Sequence, residues 1–247
     1  MSNTVDLSYD FPAEGVSAVH ISSCIGDLTV IPSDDSEAHV SCRSVPEGSF
    51  AELRGSTLYV EIRRAGVLSA VFKNPFRNAS CTVALPDKLY DSFTAEAGMG
   101  NSRIASVSCR EARIETGMGN ITIEGFRPAE SLRLESGTGN VTAELPHCGK
   151  TVVSAGKGNI QLSCCAAGLT VSGGTGDISL SGTVNGEMVL KGGVGNISFD
   201  GTVNGDLSVK GGIGNVDLRL HEDPDSAEKH SVKTSHGIGK VNIEYVR

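Results

Sequence analysis

Four charged residues form a duplicated pattern that could support acid–base chemistry. Arg113 and Glu115 stand in Arg-Ile-Glu, and Arg133 and Glu135 in Arg-Leu-Glu. A carboxylate beside a guanidinium, repeated on a neighbouring element, is the least from which a sugar-cleaving site could draw a general acid and a general base. The same spacing also describes salt-bridged charges on a solvated strand face. That second reading is the one expected here, because repeated surface charges usually pair and stay solvated. The chain has no Trp and only 4% aromatic residues, so the stacking platforms typical of sugar clefts are scarce.

Other groups that could do chemistry are weaker candidates. His221, Glu222, Asp223, Asp225, His230 and His236 are irregularly spaced around Pro224. They read as a polar loop, and no metal or cofactor is expected, because no zinc-like ligand spacing is present. The seven cysteines Cys24, Cys42, Cys81, Cys109, Cys148, Cys164 and Cys165 contain no Cys-x-x-Cys pair; they read as ordinary thiols in a reducing compartment. Gly173-Gly-Thr-Gly-Asp177 resembles a calcium array, but the period and the preference for Asn over Asp do not supply the carboxylates the ion requires. Gly98-Met-Gly-Asn101 resembles a fragment of a dinucleotide loop. Such a loop is single and opens a helix, whereas this motif recurs eight times with no helix after it. Asn-Ile-Thr and its variants match a glycosylation acceptor only because the repeat generates that pattern.

The elements that hold these residues are repeats. The second glycine of a Gly-x-Gly turn falls at Gly100, Gly119, Gly139, Gly158, Gly176, Gly195, Gly214 and Gly239, at intervals of 19, 20, 19, 18, 19, 19 and 25 residues. Most turns continue with Asn: Asn101, Asn120, Asn140, Asn159, Asn196 and Asn215, with Asp177 as the acidic substitute. Apolar-polar-apolar triplets such as Ile121-Thr-Ile123 and Ile178-Ser-Leu180 follow the turns, and a second alternating pair such as Leu132/Leu134 or Met188/Leu190 precedes them. Alternation between Gly/Asn turns indicates half-buried strands. One unit has about four inward side chains and can bury them only against its neighbours, so the units must stack.

This predicts an all-β fold: a single-stranded parallel β-helix, or β-solenoid, with ~19-residue rungs. One domain over 1–247 is expected, with an N-terminal cap and irregular rungs in 1–97 and regular Gly-x-Gly-Asn rungs in 98–247. Stacked Asn residues would form a ladder like those of cross-β stacks. Ile25-Gly-Asp27 followed by Leu28-Thr-Val30 is a degenerate first rung, with residues 1–18 as its cover. Residues 65–79 read as either a loop packed on the body or a partner-binding flap, the first favoured because apolar loop residues usually find intramolecular cover. The closing strand Lys240–Val246 alternates to its end, so self-association through this C-terminal rung is expected of its open edge.

Composition narrows the partners. Lys+Arg 21 against Asp+Glu 29 gives a net charge of −8, which argues against a nucleic-acid backbone or an anionic membrane. No apolar run approaches a membrane span and the first residues carry no leader pattern. The sequence as written is therefore expected in the cytoplasm, or at the cell surface or in the periplasm if the native gene encodes a leader.

Ile-Gly-Asp-Leu-Thr-Val near the start, Val-Ala-Leu-Pro ahead of Thr-Ala-Glu-Ala-Gly-Met-Gly-Asn, and the array of turns together resemble the bacterial putative adhesin family. This is a domain of unknown function related to head-domain auto-transporter adhesins. The resemblance covers nearly the whole chain and implies a right-handed parallel β-solenoid of unassigned activity. The expected function is a non-catalytic structural or adhesion-like interaction module whose ligand is a protein or polysaccharide surface. The alternative is a glycan-binding or polysaccharide-lyase-like β-helix.

Overall fold

In a computed structural model, which describes residues 4–63, 78–221 and 231–246, the protein is all β. Among the described residues, 21 strands join one hydrogen-bonded sheet, and the only helical element is a 3-10 turn at Ala13–Gly15.

The alternating sequence is what shapes these strands. Ile121 and Ile123, Ile160 and Leu162, Ile178 and Leu180, Val216 and Leu218 are buried after their turns, as are Leu132/Leu134, Leu169/Val171 and Met188/Leu190 before them. Side chains alternate across a strand, so the residue between each pair, polar in every case but Val189, faces outward.

Strands then stack in parallel in two columns. After the turns, Ile121 pairs with Val141, and the column continues through Ile160, Ile178, Ile197, Val216 and Val241. Before the turns, Phe93 pairs with Ala112, then Leu132, Thr151, Leu169, Met188, Leu207 and Val232. Burial at these positions joins most of the chain's apolar side chains into one continuous core. Phe93 and Phe126 meet edge to face in it, their ring centroids 5.7 Å apart. The core also accepts one polar pair, the Ser102 and Thr116 hydroxyls, 3.1 Å apart.

Toward the N-terminal end, stacking order departs from chain order. Ala18–Ile25 lies between Thr57–Ile62 and Leu89–Met99, parallel to both, and Asp27–Pro32 lies between Ser80–Leu85 and Ser102–Ala105. Antiparallel strands follow farther out: Phe50–Arg54 on Thr57–Ile62, Glu37–Pro46 on Ser80–Leu85, and Thr4–Pro12 on Glu37–Pro46. Residues 4–12 therefore do not cover the first rung directly, as the sequence suggested; two strands intervene. The chain leaves Pro32 and doubles back, and period-2 alternation says which face is buried but not which strand is the neighbour.

Several polar contacts fasten this end. His39 Nδ1 lies 2.6 Å from Asp10 Oδ1, and its Nε2 lies 3.0 Å from Asp35 Oδ1. The Lys88 ammonium donates to the carbonyls of Ala13 and Val16; burial lowers its pKa. Tyr90 donates its hydroxyl hydrogen to the Pro86 carbonyl, 3.2 Å away.

Candidate functional site

The Gly-x-Gly-Asn turns stand on one edge of the molecule, one above the next. Each second glycine, from Gly100 to Gly239, has φ between +135° and +146°. A Cβ built at any of them would lie 1.9–2.2 Å from the carbonyl oxygen of the corresponding glycine one turn earlier. Both the torsion and the close approach therefore require glycine.

Beside the glycines, the side-chain oxygen of each Asn or Asp accepts from the backbone N–H one turn later. The Asn101 N–H donates to Asp27 Oδ1 (2.8 Å), Asn120 to Asn101 (3.0 Å), Asn140 to Asn120 (2.9 Å) and Asn159 to Asn140 (2.8 Å). The series continues with Asp177 to Asn159 (2.9 Å), Asn196 to Asp177 (2.7 Å), Asn215 to Asn196 (2.9 Å) and Lys240 to Asn215 (3.1 Å). The contacts are side chain to backbone; amide-to-oxygen contacts join them only at Asn101, Asn120 and Asn196. All eight accepting side chains are exposed. Only an acceptor is needed at each step, which is why Asp27 and Asp177 fit.

The intervening residue of each turn faces solvent. Met99, Met118, Val194, Ile213 and Ile238 stand there, each 45–69% exposed. They make two apolar patches along the turn edge, separated by Thr138, Lys157 and Thr175, that the alternation rule did not single out, because turn residues lie outside it.

Arg113, Glu115, Arg133 and Glu135 come together. Arg113 pairs in register with Arg133 and Glu115 with Glu135, and each arginine contacts the glutamate two residues along its own strand. Glu96 continues the carboxylate column below Glu115, and Ser154, Ser172, Lys191 and Lys210 continue it above Glu135. Glu115 has its pKa raised, first by burial and then by its contact with Glu135, against the lowering effect of Arg113. Its Oε1 is buried against the guanidinium without hydrogen-bond geometry. Two carboxyls that touch one another cannot flank a sugar ring and its leaving group, so this quartet does not have the layout of a glycosidase pair.

A shallow open groove runs over the later outward columns. Ser179, Ser198, Asp217 and Asn242 form one wall, and Ser181, Asp200, Arg219 and Glu244 the other. Arg219 bridges Asp200 Oδ2 (3.4 Å) and Glu244 Oε2 (3.2 Å), and His221 Nε2 lies 2.7 Å from Asp200 Oδ1. Sequence reasoning had placed His221 in a polar loop; it ends the strand Val216–His221 and belongs to this network. Glu222, Asp223, Asp225 and His230 lie outside the described residues, as does most of 65–79. Among the described residues, no three His, Cys, Asp or Glu side chains converge as a metal site needs, and no helix is long and apolar enough to cross a membrane.

Comparison with known proteins bears on this architecture. The crystal structure of a putative adhesin from Bacteroides fragilis NCTC 9343 matches with a TM-score of 0.51 at 15% identity, covering 98% of each chain. A putative adhesin from Parabacteroides distasonis ATCC 8503 matches with a TM-score of 0.49 at 15% identity, over 99% of this chain and 98% of that one. No curated protein sequence matches. The family model described as Toastrack DUF4097 matches residues 16–245, nearly the whole sequence. The chain belongs to that family, a domain of unknown function.

Proposed function

We propose that this protein is a non-catalytic, adhesion-like interaction module. It is built as one right-handed parallel β-solenoid over 1–247, with irregular rungs in 1–97 and ~19-residue rungs in 98–247. Its ligand-facing surface is the pair of outward columns that line the groove at Ser179, Ser198, Asp217, Asn242, Asp200, Arg219 and Glu244. The observation that carries this reading is their register. Paired strands lie about 4.8 Å apart, so hydroxyl, amide, carboxylate and guanidinium groups recur at a fixed spacing that an extended polymer can follow. A polysaccharide chain is the ligand class that this row of donors and acceptors suits, and the structural neighbour from Bacteroides fragilis, a putative adhesin, is consistent with surface binding.

A glycan array followed by titration of retained polysaccharides tests the reading. Binding should occur without release of new chain ends, and D217A/R219A should weaken it at least tenfold while leaving the fold intact. Chain cleavage of any retained glycan would make the protein an enzyme and overturn the proposal.

The strands Val232–Ser235 and Val241–Val246 each have a strand partner on one side only among the described residues. Their free edge is the place where a second copy would add strands, with Val232, Val241 and Ile243 half-buried behind it. Light scattering of V241K/I243K tests this: a dimer in the unaltered chain should become a monomer, and a strict monomer at high concentration refutes self-association.

A further inference from the structure

Of the seven cysteines, two stand directly opposite one another on paired strands. Cys42, in Glu37–Pro46, and Cys81, in Ser80–Leu85, are opposite residues of an antiparallel pair, and their Sγ atoms lie 3.3 Å apart. Both are buried. Opposite residues in an antiparallel pair have Cα atoms about 4.5–5.5 Å apart, within the roughly 4.4–6.8 Å that disulfides span. Joining them requires only small side-chain rotations.

The remaining cysteines are placed differently. Cys24 is exposed, and Cys109 faces Tyr90 and Pro128. Cys164 faces Leu145 and Gly182, while Cys148 faces Ala166 across a register irregularity and donates to the Cys165 carbonyl at 3.4 Å. Cys148 and Cys164 are in contact, but they are not opposite residues.

We propose that Cys42 and Cys81 form a cross-strand disulfide when the protein folds in an oxidising environment, locking the antiparallel N-terminal cap onto the parallel columns. Position supports that role. Glu37–Pro46 is the strand through which Thr4–Pro12 is attached, with Leu7 opposite Cys42, and Cys81 in turn stands beside Leu28 of the first rung. A bond at this point joins cap and body across 39 residues of sequence, and closing a loop of that length restricts the unfolded chain most directly.

The oxidant is a low-molecular-weight disulfide. One cysteine thiolate attacks a sulfur of it and displaces one small thiolate, giving a mixed disulfide. The other cysteine thiolate then attacks the protein sulfur of that mixed disulfide and displaces the second small thiolate. Two protein thiols and one small disulfide become one protein disulfide and two small thiols. Two electrons pass to the small disulfide, and the two cysteine protons go to the departing thiolates. Because both sulfurs are buried in the folded protein, the exchange takes place while the antiparallel strands are still open.

The test is refolding of the full chain from denaturant in oxidised glutathione, followed by alkylation of free thiols and non-reducing peptide mapping. The expected result is a Cys42–Cys81 cross-linked peptide as the main product and an intact chain lighter by two hydrogens. Its melting temperature should fall on reduction, and that fall should disappear in C42S/C81S. The map of the unaltered chain decides the matter even if that variant folds poorly. Recovery of both residues as alkylated or glutathionylated peptides, or predominance of a Cys148–Cys164 link, would overturn the assignment.

Discussion

Replacing Gly195 by Ala tests whether the turn column is set by backbone contact. At Gly195, φ is +143°, in a region that side-chain-bearing residues reach at about 1–3 kcal/mol. Its Cβ would also stand 2.1 Å from the Gly176 carbonyl oxygen and 2.6 Å from that carbonyl carbon. Real Cβ atoms do not approach within 3.0 Å, so the two turns must separate by most of an ångström. Overpacking of that kind adds about 1–3 kcal/mol, for a total of about 2–6 kcal/mol. Gly55 separates the two terms: its φ is +61°, yet nothing lies within 4 Å of its Cβ position. Gly55→Ala should therefore cost only the torsional part, about 1–2 kcal/mol. At Gly15 neither term applies, and Ala there should be neutral. Urea unfolding followed by circular dichroism of the three variants gives the comparison. If Gly195→Ala costs no more than Gly55→Ala, stacking of the turn backbones is not what requires glycine.

Asn196→Ala should cost about 0.5–1.5 kcal/mol in the same assay, because the exposed Asn215 N–H loses its side-chain acceptor but can turn to water. Asn140→Asp, between two neutral asparagines, should be within about 0.5 kcal/mol of the unaltered chain, whereas Asn196→Asp should cost more because it faces Asp177. His39 has its pKa raised above 6.5, first by Asp10 and then by Asp35. Its contribution to cap stability is complete below that ordinary value and is lost as pH rises through the folded one, so an NMR titration should place His39 above 6.5 and Asp10→Asn should bring it down. Glu115 is displaced upward from 4.5, so its ionisation disfavours the folded state and stability is lost as pH rises through the folded value. Glu115→Gln should raise the melting temperature at pH 7 and lose that advantage once pH falls below the ordinary value; a lower melting temperature at pH 7 would show that the Arg113 contact dominates.

Much of this was legible because the repeat fixes two things locally. Alternation at Ile121-Thr-Ile123 or Leu169-Thr-Val171 says which side chains are buried, and the Gly-x-Gly spacing says which residues face each other along a column. Neither rule reaches Glu37–Pro46 or Phe50–Arg54. Their antiparallel partners are chosen by how the chain returns, not by their own pattern, and the Cys42–Cys81 contact is invisible for the same reason. The charged quartet was legible as a pattern, and so was its pairing, since Arg113 and Glu115 share one face of one strand. The burial that moves Glu115 was not, because it depends on Glu96 and Glu135 arriving from adjacent turns. The Asn column is reachable from sequence, but its exposure and its side chain-to-backbone bonding are not.

These differences bear on where binding specificity can reside. Inward positions are tied to packing: Ile178, Ile197 and Val216 stand in one column, and a polar residue at any of them would leave an unmatched group in the core. Turn positions are tied to backbone geometry at the glycines and to an acceptor at the asparagines. Only the outward positions are free of both demands, and there the sequence changes character along the stack. Glu96, Glu115 and Glu135 give way to Ser154 and Ser172 and then to Lys191 and Lys210 in one column, while Thr122, Thr142 and Gln161 give way to Ser198, Asp217 and Asn242 in the other. Like charges on adjacent strands repel, so packing gives no reason to group them. Under the proposed function, a polysaccharide following the second of these columns would meet hydroxyl, carboxylate and amide rows in a fixed order and so lie in one direction along the stack.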